Sequence, residues 1–72
     1  MEEKQFLIFL GQEIAKQRKK QGLTQLDLAT LVNMEKPTMT RLEKDRTNPT
    51  SLTLLKFSKA LNIPISKFFK FQ

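Results

Sequence analysis

The spacing of apolar positions predicts that this chain is built from helices only. In several segments apolar side chains recur three and four positions apart, which is the repeat that lines one face of a helix. No run of β-branched residues alternates with polar ones, as a strand would require. The pattern predicts five helices: about Glu3 to Lys20, Thr24-Gln25 to the break at Asn33-Met34, about Lys36 to near Lys44, Thr50 or Ser51 to about Leu61, and Ile65 or Ser66 to Phe69.

The same spacing identifies the side chains that face inward. In the first three helices these are Phe6, Leu7, Leu10, Ile14 and the stem of Arg18, then Leu28, Ala29 and Val32, then Met39 and Leu42. In the fourth helix they are Leu52, Leu55, Phe57 or Ser58, Ala60 and Leu61. The last helix presents Ile65, Phe68 and Phe69, and Met34 is also assigned to the core. Five helices with short connections predict a compact all-α bundle.

Turn and cap residues mark the ends of the predicted helices. Gly22 follows the first helix at the position where a left-handed residue ends it, and Asn33 stands at the next break. Thr24 is placed to cap the second helix, with Asp27 three residues on in a weaker form of the capping box. Pro37 falls near the start of the third helix, where its missing N–H costs nothing.

Residues 24–44 have the layout of a helix-turn-helix. Two short helices are joined by a sharp turn, and the second carries long polar side chains on its outer side. Those outward residues are Lys36, Thr38, Thr40 and Arg41. The layout predicts that the helix around Lys36–Lys44 enters the major groove of double-stranded DNA.

Composition disfavours an enzyme and favours a polyanionic partner. The 72 residues suffice for one small domain, residues 1–72. Because the chain has no Cys and no His, the usual metal ligands and the usual catalytic base are missing, and we expect no metal, cofactor or catalytic residue. Thirteen Lys and Arg against seven Asp and Glu give a net charge of +6, which suits nucleic acid. Solubility of a small domain is the alternative explanation.

No segment has the layout of a membrane span or a signal peptide. The longest apolar run, from Phe6 to Leu10, is far shorter than the about 20 residues that cross a bilayer. Glu2 and Glu3 offset Lys4 before this run, and no small-residue cleavage site follows it. We therefore expect a cytoplasmic protein without a membrane partner.

Motifs spread over roughly residues 10–69 occur in an order typical of one family. They are Leu10-Gly11, Ile14, Arg18, Gly22-Leu23-Thr24-Gln25, Leu28-Ala29, Met39-Thr40-Arg41-Leu42-Glu43, Asn48-Pro49-Thr50, Leu52, Leu55 and Ala60-Leu61-Asn62-Ile63-Pro64. With these motifs the chain resembles the Cro and lambda-repressor type of helix-turn-helix domain, also called the XRE type. Two positions depart from the family pattern, since Asn33 and Asp45 stand where glycines are common.

The resemblance implies a five-helix domain that binds operator DNA as a symmetric dimer. It implies phosphate contacts by Thr24, Gln25, Arg46, Thr47 and Asn48. It implies that the groove-facing side of the third helix consists of Lys36, Pro37, Thr38, Thr40 and Arg41. It matches Arg18 and Glu43 to a salt bridge between the first and third helices.

Elementary chemistry favours two of these residues as base readers. Arg and Lys reach O6 and N7 of guanine, a contact worth about 1–3 kcal/mol of discrimination. Lys36 and Arg41 are therefore the preferred base readers, and a solvated helix face is the alternative. For Thr38 and Thr40, contacts with a thymine methyl, a hydroxyl acceptor and a phosphate stay open.

Two clusters outside the helix-turn-helix have alternative interpretations. Arg18, Lys19 and Lys20 lie in the last turn of the first helix, where cations meet the negative end of the helix dipole. Phosphate contact is the second interpretation of Lys19 and Lys20. Phe68 and Phe71 are candidate dimer contacts, whereas closure of the core and a frayed terminus are the alternatives.

Together these patterns predict a sequence-specific transcriptional regulator that binds a palindromic operator as a homodimer. Restriction–modification controllers, Cro-like phage repressors and DNA-binding antitoxins are similar in size, and the sequence does not rank them. It identifies no protein partner such as a toxin or polymerase. The alternatives from other classes are a protein-interaction module with the same fold and a nonspecific, charge-driven nucleic-acid binder.

Overall fold

The computed structural model describes residues 2–44 and 47–70, which fold into four α-helices and one short 3₁₀ helix. The α-helices are α1 (Glu3–Lys20), α2 (Gln25–Leu31), α3 (Lys36–Lys44) and α4 (Ser51–Leu61), and the 3₁₀ helix spans Ile65–Phe69. These ranges contain no strand, so the all-helical prediction is confirmed there. The fifth element differs only in having the tighter 3₁₀ geometry. None of the helices in these ranges is long and apolar enough to cross a membrane.

Helices α1, α2 and α4 end with the same backbone motif. Gly22, Asn33 and Asn62 each have a positive φ, of 72°, 57° and 55°. Glycine adopts this left-handed conformation freely, and Asn tolerates it better than other residues. In each motif the next N–H returns to a carbonyl of the last helical turn and satisfies it. These bonds run from Leu23 to Arg18 at 3.2 Å, from Met34 to Ala29 at 2.8 Å and from Ile63 to Ser58 at 3.0 Å.

Threonine side chains cap the starts of α2 and α4. Thr24 Oγ1 accepts the N–H of Asp27 at 3.0 Å, and the Asp27 carboxylate accepts the N–H of Thr24 at 2.9 Å. The capping box is therefore complete. Hydrogen bonding to the Asp27 carboxylate, chiefly by the Thr24 backbone N–H and then by the Thr24 side chain, lowers the pKa of Asp27. At α4, Thr50 Oγ1 accepts the N–H of Thr53 at 3.1 Å.

One apolar cluster connects all five elements. Its buried members are Leu10, Ile14, Leu28, Ala29, Val32, Met39, Leu42, Leu54, Phe57, Leu61 and Phe68. The rings of Phe57 and Phe68 meet edge to face with centroids 6.5 Å apart, which joins the 3₁₀ helix to α4. Met34 packs against this cluster from the turn between α2 and α3. The predicted inward faces of α2 and α3 are confirmed.

The buried face of the fourth helix agrees only in part with the predicted one, since Phe57, Ser58 and Leu61 are buried as predicted. Its buried residues are Leu54, Phe57, Ser58 and Leu61. Leu52 and Leu55 are 60% and 40% exposed, so the prediction that they are buried is wrong. Leu55 lies three positions before Ser58, and Leu54 lies three positions before Phe57, so the helical repeat admits both leucines. Only Leu54 faces the other helices.

Phe68 belongs to the core and not to a surface. Its side chain is fully buried within the single chain, because the 3₁₀ helix packs back against α1 and α4. The prediction that it forms a dimer contact is therefore wrong, and closure of the core is the correct alternative. Phe69 and Phe6 are both exposed and stack on each other, with ring centroids 6.1 Å apart, so the prediction that Phe6 faces inward is wrong. Phe71 lies outside the described residues.

Gly11 allows α1 to approach the backbone of α3. A methyl group at this position would lie 2.5 Å from the carbonyl oxygen of Leu42 and 3.1 Å from that of Glu43. Both distances are shorter than ordinary van der Waals contact, so any larger side chain would push α3 away from α1. Gly11 thus helps to set the position of α3.

Candidate nucleic-acid interface

Helix α3 has one buried side and one polar, exposed side. Met39, Leu42 and Glu43 are buried. The exposed residues are Lys36, Pro37, Arg41 and Lys44, with Thr38 and Thr40 half-buried at the boundary. Because the apolar side chains are all used for packing, the surface that α3 offers to a partner consists of cations, hydroxyl groups and one proline.

A buried ion pair attaches α3 to α1. Arg18 Nε lies 2.7 Å from Glu43 Oε2, and Arg18 Nη2 donates to Glu43 Oε1 at 3.0 Å. Arg18 Nη1 also donates to the carbonyl oxygen of Leu23 at 2.7 Å, which ties the pair to the segment before α2. The side chains are only 8% and 4% exposed. The two residues matched by resemblance to an interhelical salt bridge thus form one with two-point geometry.

Gln25 connects the start of α2 to the same pair. Its Nε2 donates to Glu43 Oε1 at 3.0 Å, and its Oε1 accepts from Thr40 Oγ1 at 2.8 Å. The opposite orientation of the amide would place a carbonyl oxygen against the Glu43 carboxylate, so the contacts favour this one. One hydrogen of Nε2 is used by Glu43, and the amide has a second to donate.

Thr40 uses its hydroxyl hydrogen inside the protein. Thr40 Oγ1 lies 2.8 Å from Gln25 Oε1 and 3.1 Å from the carbonyl oxygen of Lys36, and both of these atoms only accept. A hydroxyl has one hydrogen, so it has none left for a phosphate or a base acceptor while these contacts hold. Toward DNA, Thr40 therefore offers a methyl group and an oxygen lone pair.

The remaining predicted contact residues lie in two places. Thr24 is the N-cap residue of α2 and precedes Gln25. Thr47 is half-buried, and the exposed Asn48 borders a depression shared with Glu3 and other residues of the first turns of α1. Arg46 lies outside the described residues.

The link between Gln25, Thr40 and Glu43 was not predicted from the sequence, which suggested only a phosphate contact for Gln25. Its partners lie 18 and 15 residues away along the chain. Polar residues that meet across two helices leave no periodic pattern, so no sequence signal marks the link. Gly11 was noted within a motif, but its close approach to α3 was likewise not predicted.

Comparisons with known proteins support the helix-turn-helix arrangement of α2 and α3. The family HTH_3, described as helix-turn-helix, matches residues 14–68. No curated protein sequence matches the chain. The crystal structure of the restriction-modification controller protein C.AhdI from Aeromonas hydrophila has a TM-score of 0.83 and 28% identity, and the match covers 88% of this chain and 96% of that chain.

Two further solved structures have the same fold. The wild-type restriction-modification controller protein C.Esp1396I has a TM-score of 0.80 and 29% identity, with 90% of this chain and 84% of that chain covered. An HTH_3 family transcriptional regulator from Vibrio cholerae has a TM-score of 0.85 and 26% identity over 94% of this chain. The match covers only 38% of that regulator, so this chain is similar to one part of it.

Proposed function

This chain belongs to the helix-turn-helix family HTH_3, and from that premise we propose that it is a sequence-specific regulator that binds a palindromic operator as a homodimer. The family is one of DNA-binding transcription regulators of the XRE type, not of enzymes. Beyond the function of the family, we propose that this chain binds a palindromic operator, that it forms a dimer, and that particular residues of α3 read the bases.

The exposed side of α3 is the observation that carries this proposal. An α-helix with its side chains is about 10–12 Å wide, and the major groove of DNA is about 12 Å wide. Inserted there, α3 presents Lys36, Pro37, Thr38, Thr40 and Arg41 to the base edges. Lys36 and Arg41 donate to guanine O6 and N7, while the methyl group of Thr40 suits a thymine methyl.

Phosphate contacts flank the inserted helix in this proposal. Thr24 and Gln25 approach one strand, and the second Nε2 hydrogen of Gln25 is the donor. By resemblance, Arg46, Thr47 and Asn48 in the loop after α3 contact the backbone again. These contacts set the orientation of α3 but carry no sequence information.

A homodimer would place two copies of α3 in successive major grooves, about 34 Å apart. Similarity to two restriction-modification controllers over most of their lengths supports a controller among the three kinds of small regulator considered. The rival protein-interaction module is disfavoured, because the exposed side of α3 carries Lys36, Arg41 and Lys44 and no aromatic residue.

Selection of bound sites from random duplex DNA tests this proposal. We expect one enriched half-site, repeated as an inverted pair with centres about one helical turn apart. An enriched site without inverted symmetry would contradict the dimer, and binding without any enriched site would support nonspecific binding. Absence of binding would favour the protein-interaction module.

A further inference from the structure

A basic groove opens beside α3, on the side where α1 ends. Its volume is about 660 Å³, and it lies between the last turns of α1 and α3, next to Gln25. The buried Arg18–Glu43 pair lies at its base. Four exposed lysines line it: Lys16, Lys19, Lys20 and Lys44. We call this surface the lysine groove.

The charges of the lysine groove are not balanced within the described part of the chain. Glu43 is the one carboxylate among the described lining residues, and Arg18 already holds it in two hydrogen bonds. Lys19 and Lys20 follow Lys16 by three and four positions, so both are neighbours of Lys16 on the surface of α1 and repel it. Such a cluster is stabilised by an anion that enters the groove.

The helix dipole explains only part of this cluster. Cations in the last turn of a helix are stabilised by the dipole, which accounts for Lys19, Lys20 and Lys44. Lys16 lies a full turn earlier in α1, where the effect has fallen off. The dipole also does not require that lysines from two different helices converge on one groove.

The position of the lysine groove fits the DNA backbone. A helix that fills the major groove has a phosphate strand on either side of it, because helix and groove are about equally wide. The lysine groove lies directly beside α3 and borders Gln25. A strand that passes Gln25 is therefore within reach of the lysines on α1 and of Lys44.

We propose that the lysine groove binds consecutive phosphates of one DNA strand, through Lys16 and Lys19 of α1 and Lys44 of α3. This inference rests on the proposed insertion of α3 into the major groove. It adds contacts from α1, outside the helix-turn-helix, and gives Lys16 and Lys44 a role.

The salt dependence of DNA binding tests the groove. The variant Lys16→Gln/Lys19→Gln/Lys44→Gln is compared with Lys4→Gln/Lys56→Gln/Lys59→Gln, which removes the same charge from exposed lysines outside the groove. Anisotropy of a labelled duplex gives Kobs between about 50 and 200 mM salt. For each phosphate that the groove variant no longer binds, we expect the slope of log Kobs against log salt to become shallower by about 0.9.

Two further variants separate a contact from a general effect of charge. Lys16→Arg/Lys19→Arg/Lys44→Arg keeps the cations and should retain the wild-type slope. The relative affinities for different sequences should stay unchanged in the glutamine variant, because phosphates are the same in every sequence. Circular dichroism checks folding, and the pair Lys16→Gln/Lys44→Gln against Lys4→Gln/Lys59→Gln replaces the triples if the groove triple unfolds.

Equal slopes for the groove and control variants would overturn the inference. If the wild-type protein binds duplexes without preference, the proposed specific regulator fails, but the slopes still decide the role of the groove. If the wild-type protein binds no duplex, the proposed regulator and the phosphate-binding role of the lysine groove are both wrong.

Discussion

Helices α3 and α4 differ in how clearly their sequences mark the buried side. Helix α3 has only two large apolar side chains, Met39 and Leu42, and both are buried. Helix α4 has leucines at four positions besides Phe57 and Ala60, so more than one helical face is apolar. In α4 the burial of Phe57, Ser58 and Leu61 was predicted correctly and that of Leu52 and Leu55 wrongly, whereas both apolar residues of α3 were predicted correctly. A helix with few apolar residues has one face that it can bury, whereas a leucine-rich helix has several.

The two helices also differ in what they leave exposed. Helix α3 exposes lysine and arginine, which suit DNA, whereas α4 exposes Leu52 and Leu55. In addition, α3 is held by polar contacts to both α1 and α2, through Arg18 and Gln25. The following changes test whether polar contacts orient α3 while apolar packing orients α4.

Glu43→Ala should have the largest effect. It leaves the Arg18 guanidinium buried without its carboxylate, and removal of one partner of a buried pair costs about 3–5 kcal/mol. Denaturant unfolding measures this cost. The control is Glu35→Ala, which removes an exposed carboxylate just before α3 and should leave stability nearly unchanged. Equal stability of the two variants would show that the pair does not hold α3.

Leu54→Ala and Leu52→Ala compare the two candidate faces of α4. Leu54 is buried, so its truncation should cost about 2–5 kcal/mol, whereas Leu52→Ala at the exposed position should stay within about 0.5 kcal/mol. Thermal or denaturant unfolding of both variants checks this difference. If Leu52→Ala destabilised the protein more than Leu54→Ala, Leu52 would be the buried residue, as predicted from the sequence.

Arg41→Ala and Lys36→Ala test the exposed side of α3. In the proposed function each should lower affinity for the selected site by about 1–3 kcal/mol and relax the preference for one base, with stability unchanged. Lys59→Ala on α4 is the matched control. A uniform decrease in affinity for all sequences would mean that the two side chains contact phosphate instead of bases.

Thr40→Val and Thr40→Ser should have the smallest effects, and they separate two roles of one side chain. Valine removes the hydroxyl that binds Gln25 and keeps a methyl group, so stability should fall by about 0.5–1.5 kcal/mol while base preference is retained. Serine keeps the hydroxyl and lacks the methyl group, so it should weaken preference for thymine at one position. The opposite pattern in site selection would assign base reading to the hydroxyl.

Most local features of the fold were predictable, because they depend on neighbours in the chain. The cap at Thr24 and Asp27 and the left-handed residues Gly22 and Asn33 follow from short-range backbone chemistry. The charge and the polar side of α3 likewise follow from residue type and helical spacing. The Arg18–Glu43 pair came from a family resemblance and not from spacing.

The sequence by itself thus determined the helices, their ends and the cationic side of α3. Only the tertiary structure decided that Leu54 is the leucine of α4 that is buried beside Phe57, that Phe68 closes the core, and that Gln25 joins Glu43 to Thr40. The physical reason is distance along the chain. Hydrogen bonds within a turn depend on adjacent residues. Periodicity identifies an apolar face where apolar residues are few, but it does not specify which elements that face meets in space.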